Sequence, residues 1–100
     1  MSFVRVASVD DIPEGEGRVF NANGIPVALF KVNGEFYAIH NSCAHKSGPL
    51  GEGFLEDNVV TCPHHGWTYD ITTGKCLNVP TAAVRKFQVK TEGKDVLVDV

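Results

Sequence analysis

Cysteine is scarce in this chain: three in 100 residues, an odd count and too few to staple a domain of this length. No long apolar run occurs either. The longest is Val27-Ala28-Leu29-Phe30, far short of the ~20 residues that a transmembrane helix needs, so no membrane span is expected. Basic charge is not in excess, with nine Lys and Arg against twelve Asp and Glu and a net charge of −3. That balance argues against nucleic acid or an anionic membrane as a partner. Residues 1–13 hold no apolar core followed by a small-residue cleavage site, so no signal peptide is expected. Also missing are internal repeats, low-complexity tracts and any sustained 3.6-residue period. What is present is 43% hydrophobic residues and ten glycines. That apolar fraction excludes disorder, and the length suits one domain over residues 1–100 that buries about 65% of its unfolded surface.

Glycine, asparagine and proline cut the sequence into short pieces. Phe3-Val4-Arg5-Val6 alternates, then gives way to the turn-rich Asp10-Asp11-Ile12-Pro13. Asn23-Gly24 and Asn33-Gly34 flank an apolar stretch, and Asn-Gly accepts positive φ at both central turn positions, so two tight hairpins are predicted there. Residues 35–40 read as a strand, as do 59–61 and 67–71. Residues 84–90 and 95–100 form a final hairpin through Glu92-Gly93-Lys94, with Val96, Val98 and Val100 on one face. The class is all-β: an antiparallel sandwich or barrel of about eight to ten short strands.

Two glycine-rich loops, about 41–53 and 62–67, carry the chemistry. The first holds Cys43-Ala44-His45 and the second Cys62-Pro63-His64-His65, a C-x-H and a C-x-x-H pattern. Two soft thiolates and two imidazoles on a pair of loops suit a metal centre. Gly48, Gly51, Gly53 and Gly66 permit backbone conformations that turn amide groups toward an anion such as sulfide. Zinc accepts two Cys and two His as well. A zinc-stabilised binding module without a redox role is therefore the alternative from another class, although zinc sites more often pair Cys with Cys and His with His.

Cys43-Ala44-His45-Lys46 with Gly48-Pro49-Leu50, and Cys62-Pro63-His64-His65-Gly66-Trp67, resemble the two cluster-binding loops of Rieske [2Fe–2S] proteins. Tyr69-Asp70, Thr73-Gly74-Lys75 and the valine-rich terminal hairpin extend the resemblance over most of the chain. It implies a Rieske-like fold, a six-stranded antiparallel base bearing a small cluster-binding subdomain. It implies one [2Fe–2S] cluster per chain, with Cys43 and Cys62 on one iron and His45 and His65 on the other. Replacing two thiolates by neutral imidazoles raises the net charge of the oxidised site from −2 to zero. Reduction is then less unfavourable, which lifts Rieske potentials above the ≈ −400 mV of plant-type ferredoxins.

The departures from the pattern are informative. The respiratory branch of the family carries an extra cysteine in each loop, joined as a disulfide; Gly48 and His64 occupy those positions here, and the bridge cannot form. Trp67 stands where that branch places a serine that donates to sulfide, whereas Tyr69 keeps the tyrosine whose hydroxyl can donate to a thiolate. A potential toward the low end of the Rieske range, ≈ −150 to +300 mV, is expected. No second metal motif for substrate chemistry follows the second loop. The resemblance implies an electron carrier rather than an enzyme: a monomeric, cytoplasmic ferredoxin that takes one electron from a flavin-dependent reductase and passes it to a terminal oxygenase. Aromatic-ring dioxygenase systems fit best, and the small Rieske-like subunit of an NAD(P)H nitrite reductase is the alternative within the fold. Cys76 is expected to be a buried thiol, His64 a surface residue of its loop and His40 a partly exposed strand residue. Lys46 and Lys75 are expected to be solvated, as isolated lysines usually are, with the rim of the site as the alternative, and Glu52, Glu56 and Asp57 to make a solvated acidic stretch.

Overall fold

Turn chemistry sets the strand pairing. The computed structural model describes residues 2–44, 48–64 and 66–100, and the described residues form nine strands. They are β1 (Phe3–Ser8), β2 (Gly17–Ala22), β3 (Ile25–Val32), β4 (Glu35–His40), β5 (Phe54–Glu56), β6 (Val59–Thr61), β7 (Thr68–Asp70), β8 (Lys86–Glu92) and β9 (Asp95–Asp99). Asn23 and Gly24 have φ of 52° and 85°, and Asn33 and Gly34 of 54° and 79°. These positive values match the primed two-residue turns whose twist agrees with that of the flanking strands. Ala22 therefore faces Ile25 and Val32 faces Glu35 across the two hairpins, as the Asn-Gly pairs predict. At the turn between β5 and β6 only one central residue, Asp57, has positive φ, at 53°.

Six strands build one antiparallel sheet in the order β1-β9-β8-β4-β3-β2. Its end strands β1 and β2 come into contact, so the sheet is nearly closed into a barrel. The other three strands form a small sheet, β5-β6-β7. The chain leaves the barrel after β4 and re-enters it at β8, and those strands are hydrogen-bonded neighbours through the pairs Ala38–Phe87 and Ile39–Lys86. The small sheet and both loops that carry the Cys-His motifs lie within that excursion. An all-β barrel with a small loop-bearing subdomain is thus the observed architecture.

The apolar run of β3 has a structural reason. Val27 and Leu29 face the barrel interior with Ala38, Phe87, Val96 and Val98. Ala28 and Phe30 face the other way, into a second core shared with Ile39, Leu50, Val60 and Tyr69. A strand buried on both faces reads as continuous hydrophobicity rather than alternation. Val96 and Val98 are fully buried, as their period predicts. β8 begins two residues later than the sequence suggests. Val84 donates instead to Gly74 O at 2.8 Å and the Arg85 carbonyl receives the His40 amide at 2.8 Å, so these residues hold the subdomain exit before the sheet resumes.

The two halves meet through glycine. A Cβ on Gly51 would lie 2.6 Å from Val19 Cγ2, and one on Gly17 would lie 3.1 Å from Gly51 O. Gly51 belongs to a single 3₁₀ turn, Leu50–Glu52, that rests on β2. Only a residue without a side chain allows that approach.

Candidate metal centre

The first loop rises from β4 with each amide committed. His40 donates to Arg85 O (2.8 Å), Asn41 to Pro26 O (3.0 Å) and Cys43 to Gly48 O (2.9 Å). Between them the Ser42 amide donates to His40 Nδ1 at 3.1 Å, and the Ala44 amide donates to the Tyr69 hydroxyl at 3.0 Å. The backbone amides of residues 40–44 are therefore all bonded, a condition that irregular backbone rarely meets without dedicated partners. Ser42 and Pro49 pair as an isolated bridge, which closes the stem of the loop. The second loop, between β6 and β7, is closed by Cys62 N to Trp67 O (2.7 Å) and Gly66 N to Cys62 O (3.1 Å). Gly66 turns the chain with φ of 76°.

The loops face one another through their smallest residue. A Cβ at Gly48 would fall 2.6 Å from Cys62 Sγ and 3.2 Å from His64 Cγ. The sequence position where the respiratory branch has a bridging cysteine is here a point of direct loop-to-loop contact. Cys43 and Cys62 are both buried, at 3% and 1% exposure, and neither is in a disulfide. Both belong to the same core as Tyr69. The Tyr69 hydroxyl lies 3.2 Å from Cys43 Sγ. Because its oxygen already accepts the Ala44 amide, its proton is available to a thiolate. Burial first, and then the bond to Cys43, push the Tyr69 hydroxyl well above the ordinary phenol range; the Ala44 amide opposes them. Tyr69 therefore stays protonated and remains a donor.

Of the four sequence-predicted ligands, Cys43 and Cys62 lie in one buried core. His45 and His65 lie outside the described residues, as does Lys46. A pair of buried thiols on facing, hydrogen-bonded loops, with a hydroxyl donor aimed at one sulfur, fits the thiolate half of an iron–sulfur site. Cys76 is buried at 4% exposure, paired with Tyr69 across an isolated bridge, as a structural thiol should be. His64 and Lys75 are exposed, His40 is half-buried and Trp67 is half-buried against the core beneath the loops. Glu52, Glu56 and Asp57 are all exposed. Sequence reasoning missed Asn41, whose carbonyl accepts the Leu50 amide (2.7 Å) and whose side-chain Oδ1 accepts the Gly51 amide (2.8 Å). The available signal was an Asn at a strand end ahead of a glycine-rich loop, the setting in which its side chain substitutes for a backbone acceptor.

A Rieske [2Fe–2S] domain profile matches residues 2–91. The chain belongs to the Rieske [2Fe–2S] domain family. The cofactor of this Rieske domain is accordingly a [2Fe–2S] cluster. It is 38% identical to the ferredoxin component of the naphthalene 1,2-dioxygenase/salicylate 5-hydroxylase systems of Ralstonia sp, over 97% of this chain and 94% of that protein. Among solved structures, the ferredoxin of carbazole 1,9a-dioxygenase from Nocardioides aromaticivorans IC177 superimposes with a TM-score of 0.91 at 29% identity. The match covers 98% of this chain and 97% of that one. A chain in the solved complex of reduced oxygenase and oxidized ferredoxin in carbazole 1,9a-dioxygenase is 31% identical, with a TM-score of 0.87 over 96% of this chain and 91% of that one. A putative NADH-dependent nitrite reductase small subunit from Mycobacterium tuberculosis reaches a TM-score of 0.90 at 20% identity, covering 97% and 93%. That last likeness is one of fold alone. No helix among the described residues is long and apolar enough to cross a membrane.

Proposed function

We propose that this Rieske domain is a one-electron carrier, the ferredoxin component of a multicomponent oxygenase system, and is not itself an enzyme. It takes an electron from a flavin-dependent reductase and passes it to a terminal oxygenase of the aromatic-ring dioxygenase kind. The observation that carries the reading is the buried pair Cys43 and Cys62 on two facing loops, in a chain whose full length is shared with oxygenase ferredoxins. Residues 1–100 act as one domain, a cytoplasmic monomer that meets its partners transiently. The nitrite reductase alternative is disfavoured by the lower identity of those relatives, 20% against 29–31%.

In this reading Cys43 and Cys62 hold one iron, and His45 and His65 the other. When bound, the cluster supplies reversible exchange of a single electron. The chain supplies the setting. Cys43 and Cys62 are buried in one core with Leu50, Val60 and Tyr69. Tyr69 holds its proton toward Cys43 Sγ and so favours a more negative sulfur, the state that follows reduction. The second loop leaves Pro63 and His64 exposed, so its outer edge is open to a docking protein.

Anaerobic purification followed by dithionite reduction tests the proposal. A brown protein whose reduced EPR spectrum has an average g below that of all-cysteine clusters is expected, and His45→Ala and His65→Ala should each abolish normal cluster assembly. A colourless protein that binds stoichiometric zinc, or an unchanged spectrum in either variant, would overturn the ligand assignment. Electron transfer to an aromatic-ring oxygenase, but not to a nitrite reductase large subunit, separates the two systems.

A further inference from the structure

Asn41 sits at the foot of the first loop and makes three hydrogen bonds, to strand β3 and to the 3₁₀ turn Leu50–Glu52. Its amide donates to Pro26 O on β3 at 3.0 Å, its carbonyl accepts the Leu50 amide at 2.7 Å and its side-chain Oδ1 accepts the Gly51 amide at 2.8 Å. The residue that enters the loop is thereby tied to the two residues that leave it. Above this clasp come two further rungs, Ser42 with Pro49 and Cys43 N with Gly48 O, and then Cys43 itself. Gly51 is itself packed closely against β2, where a Cβ on it would lie 2.6 Å from Val19 Cγ2 and 3.1 Å from the Arg18 backbone. Asn41 is thus fastened to β3 through its own backbone and to β2 through Gly51.

We propose that Asn41 is a positioning residue for the cluster. Its side chain locks the stem of the Cys43 loop onto the barrel and sets how readily Cys43 lets go of iron. The amide of Gly51 is a donor, so the atom that faces it must be an acceptor, and a carboxylate oxygen can replace the amide oxygen there. A side chain of similar size without an acceptor cannot. With Oδ1 removed, the Gly51 amide loses its partner in a half-buried position, a defect that costs more than an ordinary hydrogen bond. The first rung of the stem then opens, and the two rungs above it inherit the slack. The barrel strands β1, β8 and β9 share none of these contacts.

The inference rests on the ligand reading of Cys43, and its test is arranged so that the two can fail separately. Asn41→Leu and Asn41→Asp are compared with the parent, first as reconstituted holoprotein and then without the cluster. In the holoprotein, Asn41→Leu should release iron to a chelator faster by on the order of tenfold, while Asn41→Asp stays near the parent rate. In the cluster-free protein, hydrogen exchange should quicken at Gly51 and Cys43 in Asn41→Leu, with the β8 and β9 amides unchanged. Iron loss from Asn41→Leu at the parent rate overturns the proposal. So does equal acceleration in both variants, or exchange that quickens across the whole barrel. If the parent shows no Rieske spectrum at all, the ligand reading fails, and the exchange experiment still decides whether Asn41 locks the stem.

Discussion

Two single positions govern the immediate surroundings of the sulfurs, and they act in opposite ways. Tyr69 adds a donor. A net hydrogen bond of about 1 kcal/mol corresponds to about 40 mV for a one-electron couple. Tyr69→Phe is therefore expected to lower the reduction potential by that order, read by spectroelectrochemical titration, with the cluster retained. A potential unchanged by the substitution would show that the 3.2 Å contact with Cys43 does not persist around the cluster. Gly48 contributes by having no side chain. Gly48→Ala would set a methyl group 2.6 Å from Cys62 Sγ, and overpacking at a fixed position displaces whatever is nearest. Loss of most of the bound iron is expected, measured per mole of purified protein, with the barrel still folded by circular dichroism. The sequence identified Gly48 as a departure from the respiratory pattern but not as a steric necessity, because nothing local in a glycine tells which distant sulfur lies against it.

At the scale of elements, turns were the most legible feature and loop stems the least. Asn23-Gly24 and Asn33-Gly34 announce their hairpins because positive φ is a property of the residues themselves. The stem of residues 40–51 depends on partners such as Pro26, Arg85 and Tyr69, supplied from remote segments, and no spacing rule encodes them. Glu14 is a similar case: its carboxylate accepts the amides of Asn33 (2.6 Å) and Gly34 (2.9 Å) from a turn nearly twenty residues away. Those bonds, the Gly34 bond first, hold the Glu14 carboxyl below the usual carboxylate range. A carboxylate with a depressed folded-state pKa stabilises the fold fully above its unfolded value, and the benefit is lost as pH falls through the folded one. The thermal midpoint of the cluster-free protein should therefore drop more steeply in acid than that of Glu14→Gln, and the two should differ most near neutral pH. Parallel acid profiles would show that the clasp contributes nothing.

Over the whole molecule, the two cores divide the work between stability and cofactor retention. Leu29 belongs to the barrel core and Leu50 to the core beneath the loops, and both are fully buried. Each Leu→Ala substitution is expected to cost about 2–5 kcal/mol in urea unfolding of the cluster-free protein. Only Leu50→Ala should also shift the EPR spectrum and hasten iron loss. Equal spectral change in both variants would mean that the cores respond as one. The all-β class and the existence of a loop-bearing subdomain were readable from strand spacing and motif, whereas this partition was not: Val27 to Phe30 look alike in sequence and point alternately into different cores. The excursion that carries the metal loops also leaves and rejoins the barrel at adjacent strands, with His40 N bonded to Arg85 O at 2.8 Å. Its two ends are close enough to be spliced. Residues 41–84 are thus a cassette, one that a short turn could replace to leave a plain six-stranded barrel, provided Ala28, Phe30 and Ile39 were made polar. Carried the other way, the same cassette could be grafted onto another antiparallel barrel only together with the strand residues that hold its stem, Arg18, Val19 and Pro26.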